Sequence, residues 1–391
     1  MITYKYKLYS THRFKHLDKM LAEACFVWNH ALALQKRYYR LYGKYIPLKI
    51  MQAHQAKRVK RCFLSAMNVQ EIIERLDKSY MRFFNHVSLR TPKFKKSKDF
   101  KSVVFKGVCN HGKAGVDVCK IEENELLLVK INKRYKFIKS RDYEGRIKRV
   151  AIKRNRLGEY FIYVITDAEP KKYGKSRKGA SVGIDFGLKT YLTLSDGVTI
   201  DNPQYMKESL TELHRRSRNL SMCQKGSNNR ERKRKELDRL FDNICNKRDD
   251  FQWKLAHDLC RKYDNIFIED LNLADMKLSR KANRKLKDQA HAEFITKLLY
   301  VATKYDVVVH KIDRYYPSSK TCTCGYVNKE LKLTDRKWVC PECGATHDRD
   351  LLAANNILRQ GIAELESNSK TKKRFANGQL RNHPTITRIT A

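Results

Sequence analysis

The chain has 391 residues, of which 41% are hydrophobic, so it is long enough to form two or three domains with substantial cores. Its 83 lysines and arginines outnumber the 42 aspartates and glutamates, which leaves a formal net charge of +41. This excess argues against a protein whose only partners are neutral metabolites and favours a polyanionic partner.

The N-terminal segment carries lysines where a signal peptide would need a continuous apolar region, and no stretch reaches the ~18 apolar residues of a membrane span. We therefore expect an intracellular protein with no membrane partner. Four of the 11 cysteines crowd into residues 322–343. In a chain with no secretion signal, such a cluster suggests a metal site rather than disulfides.

The first half of the chain is predicted to combine helices with a sheet. Residues 2–8 alternate apolar and polar side chains, which is the period of a strand with one buried face. Residues 14–42 form an amphipathic helix, and a second helix begins near Asn68. Short apolar segments at period two follow over residues 92–168 and predict strands. We expect the opening strand to join this sheet, which makes the helical residues 12–90 an insertion.

The second half, from Ser181 after a basic linker, alternates strands with helices, which predicts an α/β sheet with a parallel part. The predicted strands are Val182–Ile184, Tyr191–Leu194, Ile266–Ile268 and Val307–Ile312. The tail of residues 366–391 has no apolar periodicity, and we expect it to be disordered.

Two acids follow apolar strands in this half. Asp185 lies between two glycines at the end of a strand, a position that an ordinary turn-forming aspartate also occupies. Glu269 directly follows Ile266–Ile268, and a carboxylate at the end of a buried strand is costly unless a cation meets it. Glu269 is therefore the less ordinary of the two.

A third acid, Asp350, begins a predicted helix. Ala353, Ala354 and Ile357 share its helical face, so Asp350 is predicted to point inward, with Asp348 as the helix cap. Any one of the three acids could be structural, but acids from two strands and one inward helix face can converge on a point. Converging carboxylates suit a pair of Mg²⁺ ions, which would activate a water for in-line attack on a phosphodiester.

The cysteine cluster has the spacing of a zinc ribbon in its second half only. Cys340 and Cys343 form a C-x2-C-G knuckle, whereas Cys322 and Cys324 form C-x-C, one residue shorter. A C-x-C pair can place both sulfurs on one metal only with altered geometry, so His347 is an alternative ligand. Reduced surface thiols are the non-metal alternative.

Basic residues cluster in the second half without enough acids to balance them. They could be solvated helix faces, but contacts with nucleic-acid phosphates fit the overall charge better. The candidates are Arg215, Arg216, Arg230, Lys233, Arg234, Arg280, Lys281 and Arg284.

In order and spacing, these motifs resemble the RuvC-like nuclease domain of the TnpB family, transposon-encoded RNA-guided DNA endonucleases long described as transposases. The resemblance is carried by GIDFGLKTYLTLSDG, FIEDLNL, DRYYPSSKTC, CPECG and DRDLLAANNI, at residues 183–197, 267–273, 313–322, 340–344 and 348–357. It spans nearly the whole chain and is strongest after residue 181.

The resemblance implies a multidomain α+β protein with an RNase H-like (RuvC) α/β nuclease domain. Asp185, Glu269 and Asp350 would bind Mg²⁺ or Mn²⁺ as its catalytic triad, and the cysteines would bind Zn²⁺. Its implied domains are a β-barrel wedge module (1–11 and 92–178), a helical recognition module (12–91), the nuclease domain (180–320 and 346–365), an inserted zinc ribbon (321–345) and a disordered basic tail (366–391).

The implied partners are a guide RNA, on the order of a hundred nucleotides for a charge of this size, and double-stranded target DNA in the bacterial cytoplasm or nucleoid. Two departures from the family pattern are the C-x-C pair and Leu352, where the family has asparagine. Three alternatives stay open: a miniature type V CRISPR nuclease, a non-cleaving repressor and a zinc-ribbon RNA-binding protein. The chain leaves the oligomeric state, the origin of the guide and the target-adjacent motif open.

Overall fold

The structure of the protein is a computed structural model that describes residues 1–9, 14–58, 62–86, 90–106, 108, 118–174, 179–187, 190–270, 288–332 and 335–376. The chain divides into two compact units, Met1–Glu169 and Pro170–Ala391, which we call the N-terminal and C-terminal units. Among the described helices, none is long and apolar enough to cross a membrane.

The N-terminal unit combines a seven-stranded antiparallel sheet with α-helices that lie, along the chain, between its first two strands. The strands are β1 (Ile2–Leu8), β2 (Ser102–Phe105), β3 (Cys119–Glu122), β4 (Glu125–Leu128), β5 (Lys133–Ile138), β6 (Ile147–Arg154) and β7 (Tyr160–Thr166). The helices are α1 (Lys15–Tyr42), α2 (Leu48–Arg58) and α3 (Ala66–Asn85). The strand order is β2-β6-β7-β1-β5-β4-β3.

The opening strand β1 lies inside this sheet, between β7 and β5. Its alternation of side chains places Tyr4, Tyr6 and Leu8 in the core of the unit. The expected pairing of the first strand with strands far along the chain is therefore confirmed. An isolated strand of this kind would leave its backbone hydrogen-bonding groups unpaired, and the later strands supply the partners.

The helices α1 and α3 follow the predicted apolar periodicity. α1 buries a continuous apolar stripe and ends at Gly43, whose φ of +62° is left-handed. α3 begins at Ala66, close to the predicted start near Asn68, and the Ser65 hydroxyl caps it by accepting a hydrogen bond from the Asn68 N–H. α2 was not predicted. Of its described side chains only Met51 and Gln55 are buried, so few apolar positions mark it as a helix.

The C-terminal unit is built on a five-stranded mixed sheet in the order β10-β9-β8-β11-β12. These strands are β8 (Ser181–Phe186), β9 (Thr190–Leu194), β10 (Thr199–Asp201), β11 (Asn265–Glu269) and β12 (Val308–Ile312), and β13 (Lys337–Val339) pairs with β14 (Thr346–Asp348) separately. The helices are α4 (Tyr205–Glu208), α5 (Leu210–Ser221), α6 (Asn228–Lys262), α7 (His291–Tyr305) and α8 (Arg349–Ala376). The pairs β8–β11 and β11–β12 are parallel, which confirms the predicted α/β pattern.

Helices cover both faces of this sheet. Ile184 and Ile268 lie in one core with residues of α6 and α7, whereas Phe267 packs with Ile357 of α8 on the opposite face. Because successive side chains of a strand point to opposite faces, every second residue of β8 and β11 faces α8. This alternation decides where the strand-end acids point.

The helix α8 continues past the predicted start of the disordered tail. It ends at Ala376, so residues 366–376 are helical rather than disordered, and residues 377–391 lie outside the described residues. A helix that is already nucleated by packed residues gains one hydrogen bond for each residue added, which favours extension beyond the packed part.

Candidate active site

Asp185 and Glu269 lie at the same end of two adjacent parallel strands. β8 and β11 pair Ile184 with Ile268, and each acid is the next residue along its strand. Since both isoleucines are fully buried in the core on the α6–α7 side, both acids are directed to the face that α8 covers. Neighbouring strands are about 4.8 Å apart, so this register brings the two carboxylates close together.

Asp350 reaches the same face from the first turn of α8. The Asp348 carboxylate accepts hydrogen bonds from the backbone N–H groups of Asp350 and Leu351, at 3.1 and 3.2 Å, and so caps the helix as predicted. Ala353 and Ala354, on the next turn, are buried. The predicted inward face of the helix therefore packs as expected, although Asp350 itself is only partly buried.

The contact of α8 with the sheet is close enough to require glycine at two positions. A Cβ atom on Gly183 would lie 2.1 Å from the Ala354 carbonyl oxygen and 2.6 Å from the Leu358 nitrogen. A Cβ atom on Gly361 would lie 2.1 Å from the Phe267 ring. Gly183 thus sets the distance between the strand that carries Asp185 and the helix that carries Asp350.

The close approach of these carboxylates is electrostatically unfavourable. Burial, followed by the negative charges of Glu269 and Asp350, raises the pKa of Asp185 to about 8, and nearby Arg349 opposes this rise. Burial also raises the pKa of Glu269 above its ordinary value, against the effect of a hydrogen bond from Ser318. A divalent cation would relieve both costs, so the donor set fits Mg²⁺ or Mn²⁺.

Asp350 has a partner that the sequence analysis missed. Nη1 of Arg336 lies 2.8 and 3.1 Å from the two oxygens of the Asp350 carboxylate. Among the described residues, the four clustered cysteines place their ligand atoms within 4.8 Å of one another, whereas the three acids do not form such a group. The ion pair with Arg336 therefore competes with the binding of a metal ion by all three carboxylates.

Ser318 and Asn356 also contribute contacts that no periodicity or spacing indicates. The Ser318 hydroxyl donates a hydrogen bond to Oε1 of Glu269. The amide of Asn356, a fully buried residue of α8, donates to the backbone carbonyls of Ser318 and Thr321, at 2.7 and 2.6 Å. Ser318 lies in the family motif at residues 313–322, and Asn356 lies in the motif at residues 348–357. Membership of these motifs is the one sequence feature that could have identified the two residues.

The four clustered cysteines have the geometry of one metal site. The Sγ atoms of Cys322 and Cys343 are 3.5 Å apart, those of Cys324 and Cys340 are 3.7 Å apart, and all four lie within 4.8 Å of one another. Tetrahedral Zn²⁺ with Zn–S bonds of about 2.3 Å requires sulfurs about 3.8 Å apart. The donor set fits Zn²⁺, and the short C-x-C spacing does not prevent both sulfurs from reaching it.

His347 lies beside this cluster, with its Nε2 3.0 Å from the Cys322 sulfur. The four sulfurs meet without it, so the geometry gives no need for His347 to replace a cysteine. Leu352, the other departure from the family pattern, is buried against Cys322, Trp338 and Cys340. It extends the small apolar cluster under the cysteines onto α8, where an asparagine would bring a polar group.

Five of the eight basic candidates lie in the described part of the chain, on α5 and α6. Arg215 and Arg216 bind Glu212, and Lys233 and Arg234 bind acids on α6. Arg230 donates to the carbonyls of Leu220 and Cys223 and so satisfies the C-terminal end of α5. These five have intramolecular partners, whereas Arg280, Lys281 and Arg284 lie outside the described residues.

Two protein families match the C-terminal part of the chain. A family described as "Probable transposase" matches residues 164–280, and the "Cas12f1-like, TNB domain" family matches residues 291–357. The first match contains Asp185 and Glu269, and the second contains the four cysteines and Asp350. The predicted resemblance to the TnpB family is confirmed.

Three relatives with descriptive names are similar to this chain in sequence. A "Putative RNA-guided DNA endonuclease" of Streptomyces pristinaespiralis is 37% identical over 55% of this chain and 53% of its own length. The protein InsQ of Escherichia coli K12, which carries the same name, is 27% identical over 89% of both chains. "TnpB-like protein L79" of Acanthamoeba polyphaga mimivirus is 29% identical over 49% of this chain and 39% of its own length. The chain thus spans about half of the Streptomyces protein.

One solved structure has the same fold over most of the chain. It is the cryo-EM structure of a Cas12f1–sgRNA–target DNA complex, which matches with a TM-score of 0.54 over 88% of this chain and 81% of the Cas12f1 chain. The sequences are 15% identical, so this likeness concerns the fold alone. The chain is a multidomain α/β protein that resembles Cas12f1 in fold.

Proposed function

We propose that this protein is an RNA-guided DNA endonuclease of a transposon, in which Asp185, Glu269 and Asp350 hold Mg²⁺ or Mn²⁺. The observation that carries the proposal is the pair of half-buried carboxylates, Asp185 and Glu269, side by side at the ends of adjacent strands with the acid-bearing end of α8 across from them. The similarity to the TnpB family and the charge of +41 support a nucleic-acid substrate.

The fold partly removes Asp185 and Glu269 from water, which favours the binding of a cation by these acids. Asp185 and Glu269 are held at fixed strand positions, and α8 packs closely at Gly183 on the face of the sheet to which they point. A bound divalent metal would supply the positive charge that stabilises in-line displacement at a phosphodiester. Asp350 can join as a ligand once its carboxylate leaves Arg336, so that ion pair must open in the active state.

We further propose that the C-terminal unit comprises an RNase H-like (RuvC) nuclease domain, residues 180–320 and 346–365, with a zinc ribbon inserted at 321–345. Residues 1–11 and 92–178 would form the β-barrel wedge module and residues 12–91 the helical recognition module, which together would read the motif beside the target and bind the guide RNA. The guide would have on the order of a hundred nucleotides, enough phosphates to neutralise much of the excess charge. The bacterial cytoplasm or nucleoid is the proposed location.

The test is cleavage of a matched double-stranded DNA by the protein purified with its RNA. We expect Asp185→Ala, Glu269→Ala and Asp350→Ala each to abolish cleavage with little loss of DNA binding, because each removes a metal ligand and no phosphate-binding cation. The control is Asp201→Asn, which changes an exposed acid on the edge strand β10. EDTA should stop the reaction, and Mg²⁺ or Mn²⁺ should restore it.

Normal cleavage by any one of the three alanine variants would contradict the role of that acid. Loss of cleavage in Asp201→Asn as well would mean that the assay reports folding rather than metal binding.

A miniature type V CRISPR nuclease is the second candidate, and the match of residues 291–357 to the Cas12f1-like TNB domain favours it. The two candidates use the same acids and differ in the origin of the guide. Sequencing the RNA that copurifies with the protein distinguishes them: transposon-end sequence supports the first candidate, and repeat-derived sequence supports the second.

A further inference from the structure

The turn after β12 brings a buried hydroxyl to one of the proposed metal ligands. Ser318 is 6% exposed, and its Oγ donates a hydrogen bond to Oε1 of Glu269, 49 residues earlier in the chain. Glu269 has three rotatable side-chain bonds, so a fixed donor on one oxygen restricts the direction in which the other oxygen points. The hydroxyl is the one side-chain donor to Glu269 among the described hydrogen bonds.

The position of Ser318 is itself held by α8. Asn356 uses both hydrogens of its amide, one on the Ser318 carbonyl at 2.7 Å and one on the Thr321 carbonyl at 2.6 Å. The residue is fully buried, so these hydrogen bonds are shielded from competing water. The turn is closed further by the Thr321 hydroxyl, which donates to the Pro317 carbonyl at 2.8 Å.

We propose that Ser318 is a positioning residue for Glu269, and that Asn356 holds Ser318 in place for this task. The inference rests on the proposed function, in which Glu269 binds the metal. It extends the site from three acids to a chain of contacts that runs from α8 through the turn at 318–321 to β11. Residues that orient a metal ligand typically contribute about 10–100-fold to metal affinity or activity.

The chain offers a matched control for each positioning residue. Ser319 adjoins Ser318 but is less buried, and Asn355 adjoins Asn356 but bonds only within its own helix, to the Leu351 carbonyl. Asn356→Asp has nearly the same shape but lacks the two N–H donors. Ser318→Ala removes one oxygen atom, and Ser318→Thr keeps the hydroxyl.

The experiment uses the full-length protein with its copurified RNA and has two readouts. The first is the Mg²⁺ concentration for half-maximal DNA cleavage. The second does not depend on DNA cleavage: Fe²⁺ with ascorbate and peroxide cuts the polypeptide near a bound metal, and Mg²⁺ competes with it. We expect Ser318→Ala and Asn356→Asp to raise the half-maximal Mg²⁺ concentration in both readouts by about 10–100-fold. Ser319→Ala, Asn355→Asp and Ser318→Thr should stay close to wild type.

The outcomes separate this inference from the proposed function. If Glu269→Gln is inactive while Ser318→Ala keeps the wild-type Mg²⁺ dependence in both readouts, the positioning role is wrong and the proposed function stands. If Glu269→Gln cleaves normally, Glu269 is not a metal ligand, and both its proposed role and this inference are wrong. If Asn356→Asp does not fold, Ser318→Ala and its rescue by Ser318→Thr decide the matter. A loss of activity in Ser318→Ala with unchanged iron cutting and Mg²⁺ competition also overturns the inference.

Discussion

Glu269 is the last residue of β11 and Asp270 follows it directly, but the two acids have opposite environments. Burial raises the pKa of Glu269, whereas hydrogen bonds from Lys311 and Arg314 lower the pKa of Asp270. Successive residues of a strand point to opposite faces, so one acid faces the desolvated side under α8 and the other meets two cations. The strand thus separates a carboxylate that is available to a metal from one that is already neutralised.

The raised pKa of Asp185 predicts how the metal-free protein responds to pH. The folded-state pKa of about 8 lies above the ordinary aspartate value of 3.8, so the folded protein retains a proton that the unfolded chain releases, and stability falls as the pH rises between these values. Asp185→Asn removes this loss. Thermal unfolding in EDTA should show the variant gaining on wild type from about pH 5 to about pH 8, by at least about 1 kcal/mol.

Added Mg²⁺ should reverse much of that difference, because it stabilises only the protein that keeps the carboxylate. Asp201→Asn serves again as the control and should follow the wild-type curve. Parallel curves for Asp185→Asn and wild type would contradict the burial of an uncompensated charge at this position.

At the scale of secondary structure, the active site depends on how closely α8 approaches β8. Gly183 and Gly361 remove the side chains that would separate the helix from the sheet. The helix also carries Asp350 at its start and Asn356 further along, so a small displacement of α8 would move a metal ligand and the residue that holds Ser318. The packing of this one helix therefore connects stability with the geometry of the site.

Gly183→Ala tests that packing. Its Cβ would meet backbone atoms of α8, which cannot rotate away, so we expect a loss of stability of about 1–3 kcal/mol together with weaker cleavage. Gly174→Ala is the matched control, since its Cβ would have nothing within 4 Å. The measurements are thermal unfolding and DNA cleavage for both variants. Equal effects of the two substitutions would show that the close approach at Gly183 does not matter.

The cysteine cluster is a second element whose integrity can be measured alone. We expect about one zinc per chain, and its loss on Cys340→Ser or Cys343→Ser, because the small apolar cluster under the sulfurs is too small to fold the segment without metal. Elemental analysis of the purified protein measures the zinc. Cys245→Ser, at an exposed cysteine outside the cluster, should keep it. A zinc-free protein that still cleaves DNA would contradict a structural metal here.

At the scale of the whole molecule, the net charge of +41 sets the conditions for stability. Like charges repel one another throughout the folded chain, and phosphates of a bound nucleic acid neutralise them. The five described candidates on α5 and α6 already have intramolecular partners, so much of the attraction must come from other lysines and arginines. A bound RNA would therefore contact a broad surface.

This charge predicts that the protein purifies with RNA and depends on it. Ribonuclease treatment should remove guided cleavage and lower the thermal midpoint, because the positive charges lose their counterions. The measurement is cleavage of a matched DNA before and after treatment, with the RNA analysed by gel and by sequencing. Cleavage at full rate without RNA would favour a nuclease of the same fold that recognises DNA structure instead of a guide.

The sequence by itself determined the order of most elements, although α2 was missed. Val182 and Ile184 indicated the strand that carries Asp185, and the apolar run Ile266–Ile268 indicated the strand that ends at Glu269. The helical spacing of Ala353, Ala354 and Ile357 identified the buried face of α8. These patterns are local, because each residue of a strand or helix is directed by its own backbone. The family resemblance came from the same short segments. The extension of α8 was missed, since helix propagation needs no apolar stripe.

Only the tertiary structure decided how those elements meet. Ser318 with Glu269, Asn356 with Ser318, and Arg336 with Asp350 join residues that are 49, 38 and 14 positions apart. Nothing in local periodicity marks such pairs, since a hydroxyl, an amide or a guanidinium group in a polar turn is equally suited to solvent. The need for glycine at position 183 is of the same kind, because the atoms that exclude a side chain there belong to a helix more than 160 residues further along the chain.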